Sequence, residues 1–300
     1  MSYNIKFMNL PEQFSNLQKS KVVILPIAYE GVVSRGFGAS NGPLAILNAS
    51  YELEYFDIDY NIEPYEQGIY TEQIFKLTNQ DYEFSKQVIS ELVYNFLKIN
   101  KFPVIIGGDH SITSGVVQGF EKKQTNFGII TFDAHSDLRE PWGKETWQHA
   151  CVSREISKNH KLLIVGVRSQ DVSEAEFLKS PEGKNVSVIN AKDVFEKNNL
   201  NVFQEKLKQL PHDIYISIDV DVFDPAFMKN TNTPEPGGLD WYLLNNFLKI
   251  IFKQKNVIGV DLVEFAPQGE EYNYFSEAFM LSKLIYKLIV YKYYTQKINL

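Results

Sequence analysis

Cysteine is nearly missing from this 300-residue chain: Cys151 is the single one. That excludes a disulfide within the chain and a cysteine-built structural zinc site, and it suits a reducing cytosol. Long apolar runs are missing too. The most apolar segments have strand length and end in polar residues, so none reaches the roughly 20 residues of a membrane helix. The opening segment, MSYNIKFMNLPEQ, lacks the charged-then-apolar run of a signal peptide. A cytoplasmic protein without membrane contact is expected. Basic runs are scarce as well: 30 Lys and Arg stand against 37 Asp and Glu, a net charge of -7. No nucleic-acid partner is expected, and the mild acidity slightly favours a cationic small molecule.

What is present is apolar content, 44% of the residues, enough for a large core. It comes in two rhythms. Short β-branched runs at 21–28, 102–108, 127–135, 162–169, 186–191, 214–223 and 256–265 read as buried strands. Longer amphipathic stretches separate most of them. Helices are expected at 42–55, with Pro43 in the first turn, and at 81–99. Six more are expected at 112–123, 148–158, 172–179, 199–209, 240–253 and 274–292. This alternation predicts an α/β fold whose mostly parallel sheet is covered on both faces. No linker, repeat or low-complexity stretch interrupts it, so residues 1–300 read as a single domain. In such sheets ligands sit beyond the carboxyl ends of the strands.

Four of those ends carry dense polar clusters: Gly107-Gly108-Asp109-His110-Ser111, Asp133-Ala134-His135-Ser136-Asp137, Asp219-Val220-Asp221, and Asp261-Leu262-Val263-Glu264. In extended chain, residues two apart share a face. Asp133, His135 and Asp137 are therefore expected to point one way, and Asp219 and Asp221 likewise. Several carboxylates in one cleft repel and resist desolvation, and a cation cancels that cost. Carboxylate with imidazole suits Mn²⁺ or Mg²⁺, the histidines favouring Mn²⁺. Six such ligands exceed what one ion takes while keeping room for water, so two ions fit better. Asp224 reads as a turn residue before Pro225. The pair Gly107-Gly108 reads as close backbone packing beside His110 rather than a phosphate loop. His160 and His212 read as surface residues. Cys151 has no evident base and third partner, which argues against a Cys–His nucleophile.

The set GGDHS (107–111), DAHSD (133–137), SIDVDVFDPAF (217–227), TPEPGG (233–238) and DLVEFAP (261–267) resembles the ureohydrolase (arginase/agmatinase) family along nearly the whole chain. EGVVSRGFGASNGPLAI (30–46) and HACVSREI (149–156) are similar to its agmatinase branch. The resemblance implies a three-layer αβα fold with two Mn²⁺ per chain. His110, Asp133, Asp137 and Asp219 would hold one ion. His135, Asp133, Asp219 and Asp221 would hold the other, with Asp133 and Asp219 as bridges. The implied chemistry is attack by cation-activated water on a guanidinium carbon, releasing urea and an amine. His149 would shuttle the proton to the leaving amine. Glu264 would grip the guanidinium, whose planar fork a carboxylate matches.

The expected substrate is agmatine, giving putrescine and urea, because LREPWGKETWQHA (138–150) lacks the Asn- and Ser-containing stretch with which arginases of the family grip a carboxylate. Glu140, Trp142 and Glu235 could meet a terminal amine. Arginase-type and guanidinobutyrase-type hydrolysis are the alternatives, as is a catalytically silent metal-binding homologue with a regulatory or assembly role. Asn230 and Asn232 stand where the family has glycines. They are expected to hold the turn through left-handed backbone while narrowing or polarising the pocket. The family also implies a homo-oligomer, a trimer or hexamer.

Overall fold

The computed structural model describes residues 5–31, 36–77, 81–141, 148–196 and 199–295. Its strands are β1 (Val22–Ala28), β2 (Ile69–Thr71), β3 (Phe75–Lys76), β4 (Phe102–Ile106), β5 (Gly128–Phe132), β6 (Leu162–Val167), β7 (Val186–Asn190), β8 (Asp213–Asp219) and β9 (Asn256–Val263). They form one sheet in the order β2-β1-β4-β9-β8-β5-β6-β7, with β3 also paired to β1. Every strand pairing among the described residues is parallel. The seven expected strands are present. Edge strands β2 and β3 are too short to show a period of two and were not expected.

The helices are α1 (Glu12–Ser15), α2 (Gly42–Ala49), α3 (Tyr82–Lys98), α4 (Ile112–Glu121), α5 (Val152–Ile156), α6 (Val172–Lys179), α7 (Ala191–Val194), α8 (Asn199–Lys208), α9 (Trp241–Gln254) and α10 (Phe275–Tyr294). Asp81, Asp171 and Asp240 cap α3, α6 and α9 by accepting first-turn backbone N–H bonds, which explains where these helices begin. The stretch expected to be one helix over 42–55 ends at Ala49 and tightens into a 3₁₀ turn, Ser50–Glu52.

Parallel strands buried on both faces alternate their side chains between two cores. Ile24, Val104, Ile106, Ile130, Ile216 and Leu262 pack with α2, α8, α9 and α10. Val23, Ile105, Ile129, Ile164, Tyr215 and Val263 pack on the opposite face with α3 and α4. The result is the αβα sandwich expected. The central strands β4, β9, β8 and β5 are neighbours. Their carboxyl ends bring Gly107–His110, Glu264, Asp219–Asp221 and Asp133–Asp137 to one place. No helix of the described residues is long and apolar enough to cross a membrane.

Candidate metal centre

The shared-face expectation for 133–137 is corrected here. β5 stops at Phe132, and Asp133 Oδ1 accepts the His135 N–H at 2.6 Å, a local turn rather than extended chain. Asp137 has φ 50°, so the backbone curls back toward β4. β8 likewise ends at Asp219, whose Oδ1 accepts the Asp221 N–H at 2.9 Å as a 3₁₀ turn begins. The carboxylates converge because short polar side chains bend the chain at strand ends. Strand alternation is not the cause.

The convergence has two parts. His110 Nδ1 lies 3.2 Å from Asp133 Oδ2, 3.1 Å from Asp137 Oδ2 and 3.3 Å from Asp219 Oδ2. His135 Nδ1 lies 2.9 Å from Asp221 Oδ2 and 3.7 Å from Asp133 Oδ1. His110, Asp133 and Asp219 can hold one ion, and Asp133, His135 and Asp221 another, so Asp133 is common to both groups. Bonds of about 2.0–2.2 Å at right angles space neighbouring ligand atoms about 2.8–3.1 Å apart, close to the separations found.

A further observation tests whether a cation fits. His110 Nδ1 and Asp133 Oδ2 are buried and have no hydrogen-bond partner. Buried polar atoms are rarely left so, and two facing lone pairs are satisfied by a positive charge between them. Electrostatics agree. Burial opposes charge on His110, but Asp133, Asp137 and Asp219 outweigh it and raise its pKa well above the usual imidazole range. Burial likewise opposes charge on His135, yet Asp133 and Asp221 push it up to about 12. Burial and the Asp133 charge push Asp137 up to about 6. Burial, with Asp221 and Asp133 beside it, raises Asp219 well above the carboxylate range. The cluster draws positive charge to itself, and the donor set of carboxylates and imidazoles suits a divalent cation.

His149 and Glu264 share a cavity of ≈ 320 Å³ with His135, Asp137, Asp219 and Asp221. Glu264 has φ 67°, an unfavourable backbone for a non-glycine residue and one that recurs at functional sites. Its Oε1 accepts the His110 N–H at 2.7 Å. Burial, then the nearby Asp109, raises its pKa well above the usual carboxylate value, which a cationic ligand would reverse. A Cβ on Gly108 would overlap the Tyr29 carbonyl oxygen, so that glycine serves close packing as expected. Asp109 Oδ2 accepts the Gly31 N–H at 2.5 Å, and Glu30 accepts from Gly38 N at 2.6 Å and Ala39 N at 3.1 Å. These bonds tie Gly31 to Asp109, beside the centre, and Gly38 and Ala39 to Glu30.

Three supporting residues escaped the sequence reading. Glu174 is the capping-box residue of α6. It accepts Ser136 Oγ–H at 2.7 Å and Leu138 N–H at 2.8 Å, fixing the Asp133–Asp137 loop. Arg168 donates to the carbonyls of Asp221 at 2.7 Å, Phe223 at 3.2 Å and Glu235 at 2.8 Å, fixing the loop after β8. Asp261, legible in the sequence only as part of a polar strand end, is fully buried and accepts from Ser217, Tyr215 and Thr113. The capping box was the one readable signal, since Asp171 and Glu174 stand at N-cap spacing.

Other expectations divide. Asp224 accepts from Ala226 N at 2.9 Å and Gly237 N at 2.7 Å, the turn role anticipated. Burial pushes the Cys151 thiol up to about 11, which keeps it unreactive. His212 is exposed, but His160 is not a surface residue. It is buried, with Nδ1 3.1 Å from the Phe127 carbonyl and Nε2 2.9 Å from Glu121. Neither Asn230 nor Asn232 has positive φ. Asn230 turns away from the cleft to bond Glu277 of α10, while Asn232 lies against Gly36. Trp142 lies outside the described residues.

The sequence matches the arginase family over residues 20–290. The chain belongs to the arginase family. A relative from a Synechocystis strain named N(1)-aminopropylagmatine ureohydrolase is 34% identical, over 95% of either chain. An agmatinase from Pyrococcus horikoshii is 33% identical, covering 83% of this chain and 85% of its own. The crystal structure of agmatine ureohydrolase of Thermoplasma volcanium superposes with TM-score 0.85 at 26% identity, covering 98% of this chain and 97% of that one. This arginase-family chain thus shares its fold along almost its whole length with proteins named for guanidino hydrolysis.

Proposed function

We propose that the chain hydrolyses an amine-tailed guanidino compound of the agmatine class to urea and the free amine. The observation that carries this is the pair of orphaned atoms, His110 Nδ1 and Asp133 Oδ2, beside Asp137 and Asp219, two carboxylates that line a cavity together with His149 and Glu264. His110, Asp133, Asp137 and Asp219 would hold one divalent cation, and His135, Asp133, Asp219 and Asp221 the other, Mn²⁺ being the assigned metal. Bound there, the two cations supply Lewis acidity that polarises the substrate and lowers the pKa of water.

The rest falls to side chains. Glu264, with one oxygen committed to the His110 N–H, offers the other to the guanidinium. The αL backbone at Glu264 aims that carboxylate into the cavity rather than along the strand. The substrate's cationic end restores the ionised form that burial disfavours. His149, lining the same cavity, gives a proton to the departing amine nitrogen as its bond to the urea carbon breaks.

The longer-tailed N(1)-aminopropylagmatine is the favoured member of the class. An outer cavity of ≈ 630 Å³ has Arg139 and Asp171 in its wall, as the inner one does, and adds Glu140, Glu176 and Glu182. Glu140 and Glu182 face Arg154 in that wall, which leaves Asp171 and Glu176 to meet an additional ammonium group, and the Synechocystis relative carries that substrate's name. Residues 1–300 are assigned to a single domain, which the family match and the continuous sheet support. A homo-oligomer, trimer or hexamer, is proposed from the family, with light scattering as its test.

Urea release by Mn²⁺-loaded protein should be measured with agmatine, N(1)-aminopropylagmatine, arginine and guanidinobutyrate. Turnover of the two amine-tailed compounds, with higher kcat/KM for the longer, is expected. No turnover of any of the four would overturn the assignment and favour a silent metal-binding homologue.

A further inference from the structure

His110 has two ring nitrogens, and only one faces the carboxylates. The other, Nε2, lies 3.0 Å from Ser217 Oγ on β8. Ser217 is fully buried, and its hydroxyl donates to Asp261 Oδ1 at 2.6 Å. Asp261 is fully buried on β9, the neighbouring strand, with Ser217 and Asp261 in register. Its other oxygen accepts from Tyr215 Oη at 2.5 Å and Thr113 Oγ1 at 2.9 Å. Three hydroxyls thus point at one carboxylate, from a strand and a helix.

The donor directions settle the ring. A serine hydroxyl has one proton, and Ser217 gives it to Asp261. Toward His110 the serine oxygen can therefore only accept, so Nε2 carries the ring proton. Nδ1 is then the nitrogen that offers a lone pair whenever the ring is neutral, and it is the one that three carboxylate oxygens surround.

We infer that Asp261, acting through Ser217, is a positioning residue that locks His110 in its Nε2–H tautomer and aims Nδ1 as a ligand for one of the two cations. Metal-binding imidazoles commonly donate their second N–H to a partner that fixes tautomer and orientation. Here the partner is a hydroxyl backed by a carboxylate that no solvent reaches. The inference rests on the proposed two-cation reading. It adds that one half of the centre depends on a chain of hydrogen bonds running beneath the sheet's polar end, away from the substrate cavity. Neither Ser217 nor Asp261 lines that cavity.

The test is Mn²⁺ binding, by calorimetry, to wild type and to Ser217→Ala, Asp261→Asn and Tyr215→Phe, each checked for folding by its thermal transition. Ser217→Ala removes one oxygen and carries the test if Asp261→Asn fails to fold. Wild type should bind two Mn²⁺. Ser217→Ala and Asp261→Asn should weaken one of the two sites by about 10–100-fold. Tyr215→Phe, which removes a donor to the oxygen facing away from Ser217, should leave both sites within about threefold. Unchanged affinity in folded Ser217→Ala, or equal weakening in Tyr215→Phe, would overturn the inference. Wild type binding fewer than two ions would instead overturn the two-cation reading itself.

Discussion

Charge is handled differently at the two ends of the central sheet. At the amino ends, cations are matched with main-chain acceptors. Lys255 Nζ donates to the Leu210 carbonyl at 2.7 Å and to Pro211 at 3.0 Å, Lys292 to Val257 at 2.6 Å, and Lys161 to Gln209 at 2.9 Å. Lys255 and Lys292 thereby satisfy carbonyls that are buried or partly buried, in the loop before β8 and at the start of β9. At the carboxyl ends, acceptors face acceptors, and His110 Nδ1 and Asp133 Oδ2 are left without a donor. The first end is complete as folded. The second is complete only when cations arrive. What separates a structural charge from a functional one here is whether the chain supplies the partner.

The largest effect should come from Asp133→Asn. Asp133 belongs to both three-residue groups that the structure draws together, and with Asp219 it is assigned to both ions. Its loss should abolish two-ion binding and bring urea release below detection, the metal count being read by elemental analysis of the loaded protein. Retention of both ions would mean that the two groups are independent.

His149→Ala should lower kcat by about 10²–10⁴-fold, the range of a lost proton donor, while two ions stay bound. Steady-state kinetics beside metal content would separate the roles. Loss of metal along with activity would place His149 among the ligands and blur the division between ligands and proton transfer.

A third prediction concerns a matched charge away from both ends. Lys287 of α10 lies 2.6 Å from buried Asp57 and 2.6 Å from Asp59. Lys287→Met should cost about 3–5 kcal/mol in denaturant unfolding, because Asp57 is left charged and buried. Burial opposes the Lys287 charge, but Asp57 and Asp59 outweigh it and raise its pKa. The stability from this raised lysine is therefore whole below the ordinary lysine value and fades as pH rises through the raised one. The gap between wild type and Lys287→Met should accordingly narrow at strongly alkaline pH. A gap that stayed constant or widened there would contradict that sign.

The smallest effect belongs to the amino ends. Lys255→Met should cost about 1–3 kcal/mol through two carbonyls left unsatisfied. Mn²⁺ affinity should stay unchanged, as expected if the two ends are energetically separate. A matched fall in affinity would show that they are coupled through the sheet.

Much of this was legible in the sequence because fully buried parallel strands write themselves as unbroken apolar runs. β4, β5, β8 and β9 each end in the polar residues that meet in space. The reason for the meeting was not legible. Asp137 reaches His110 through a left-handed residue, and no alternation rule foretells that bend. The roles of Ser217, Asp261 and Arg168 depend on which strands are neighbours, which a linear pattern does not reveal. Ser217 and Asp261 stand 44 positions apart, and only the pairing of β8 with β9 sets them side by side. His160 sits in a polar stretch, yet packing against Phe127 buries it. The glycine-to-asparagine departure reads in the sequence as a change in the pocket. At Asn230 it is instead a brace to α10, through a Glu277 that lies 47 residues away.

The central claim is that the carboxyl ends hold two cations sharing Asp133. Anomalous diffraction from crystals of the Mn²⁺-loaded protein tests it most directly. Two manganese peaks are predicted, one beside His110 and Asp137, the other beside His135 and Asp221, with Asp133 and Asp219 touching both. A single peak, or none beside Asp133, would contradict the account.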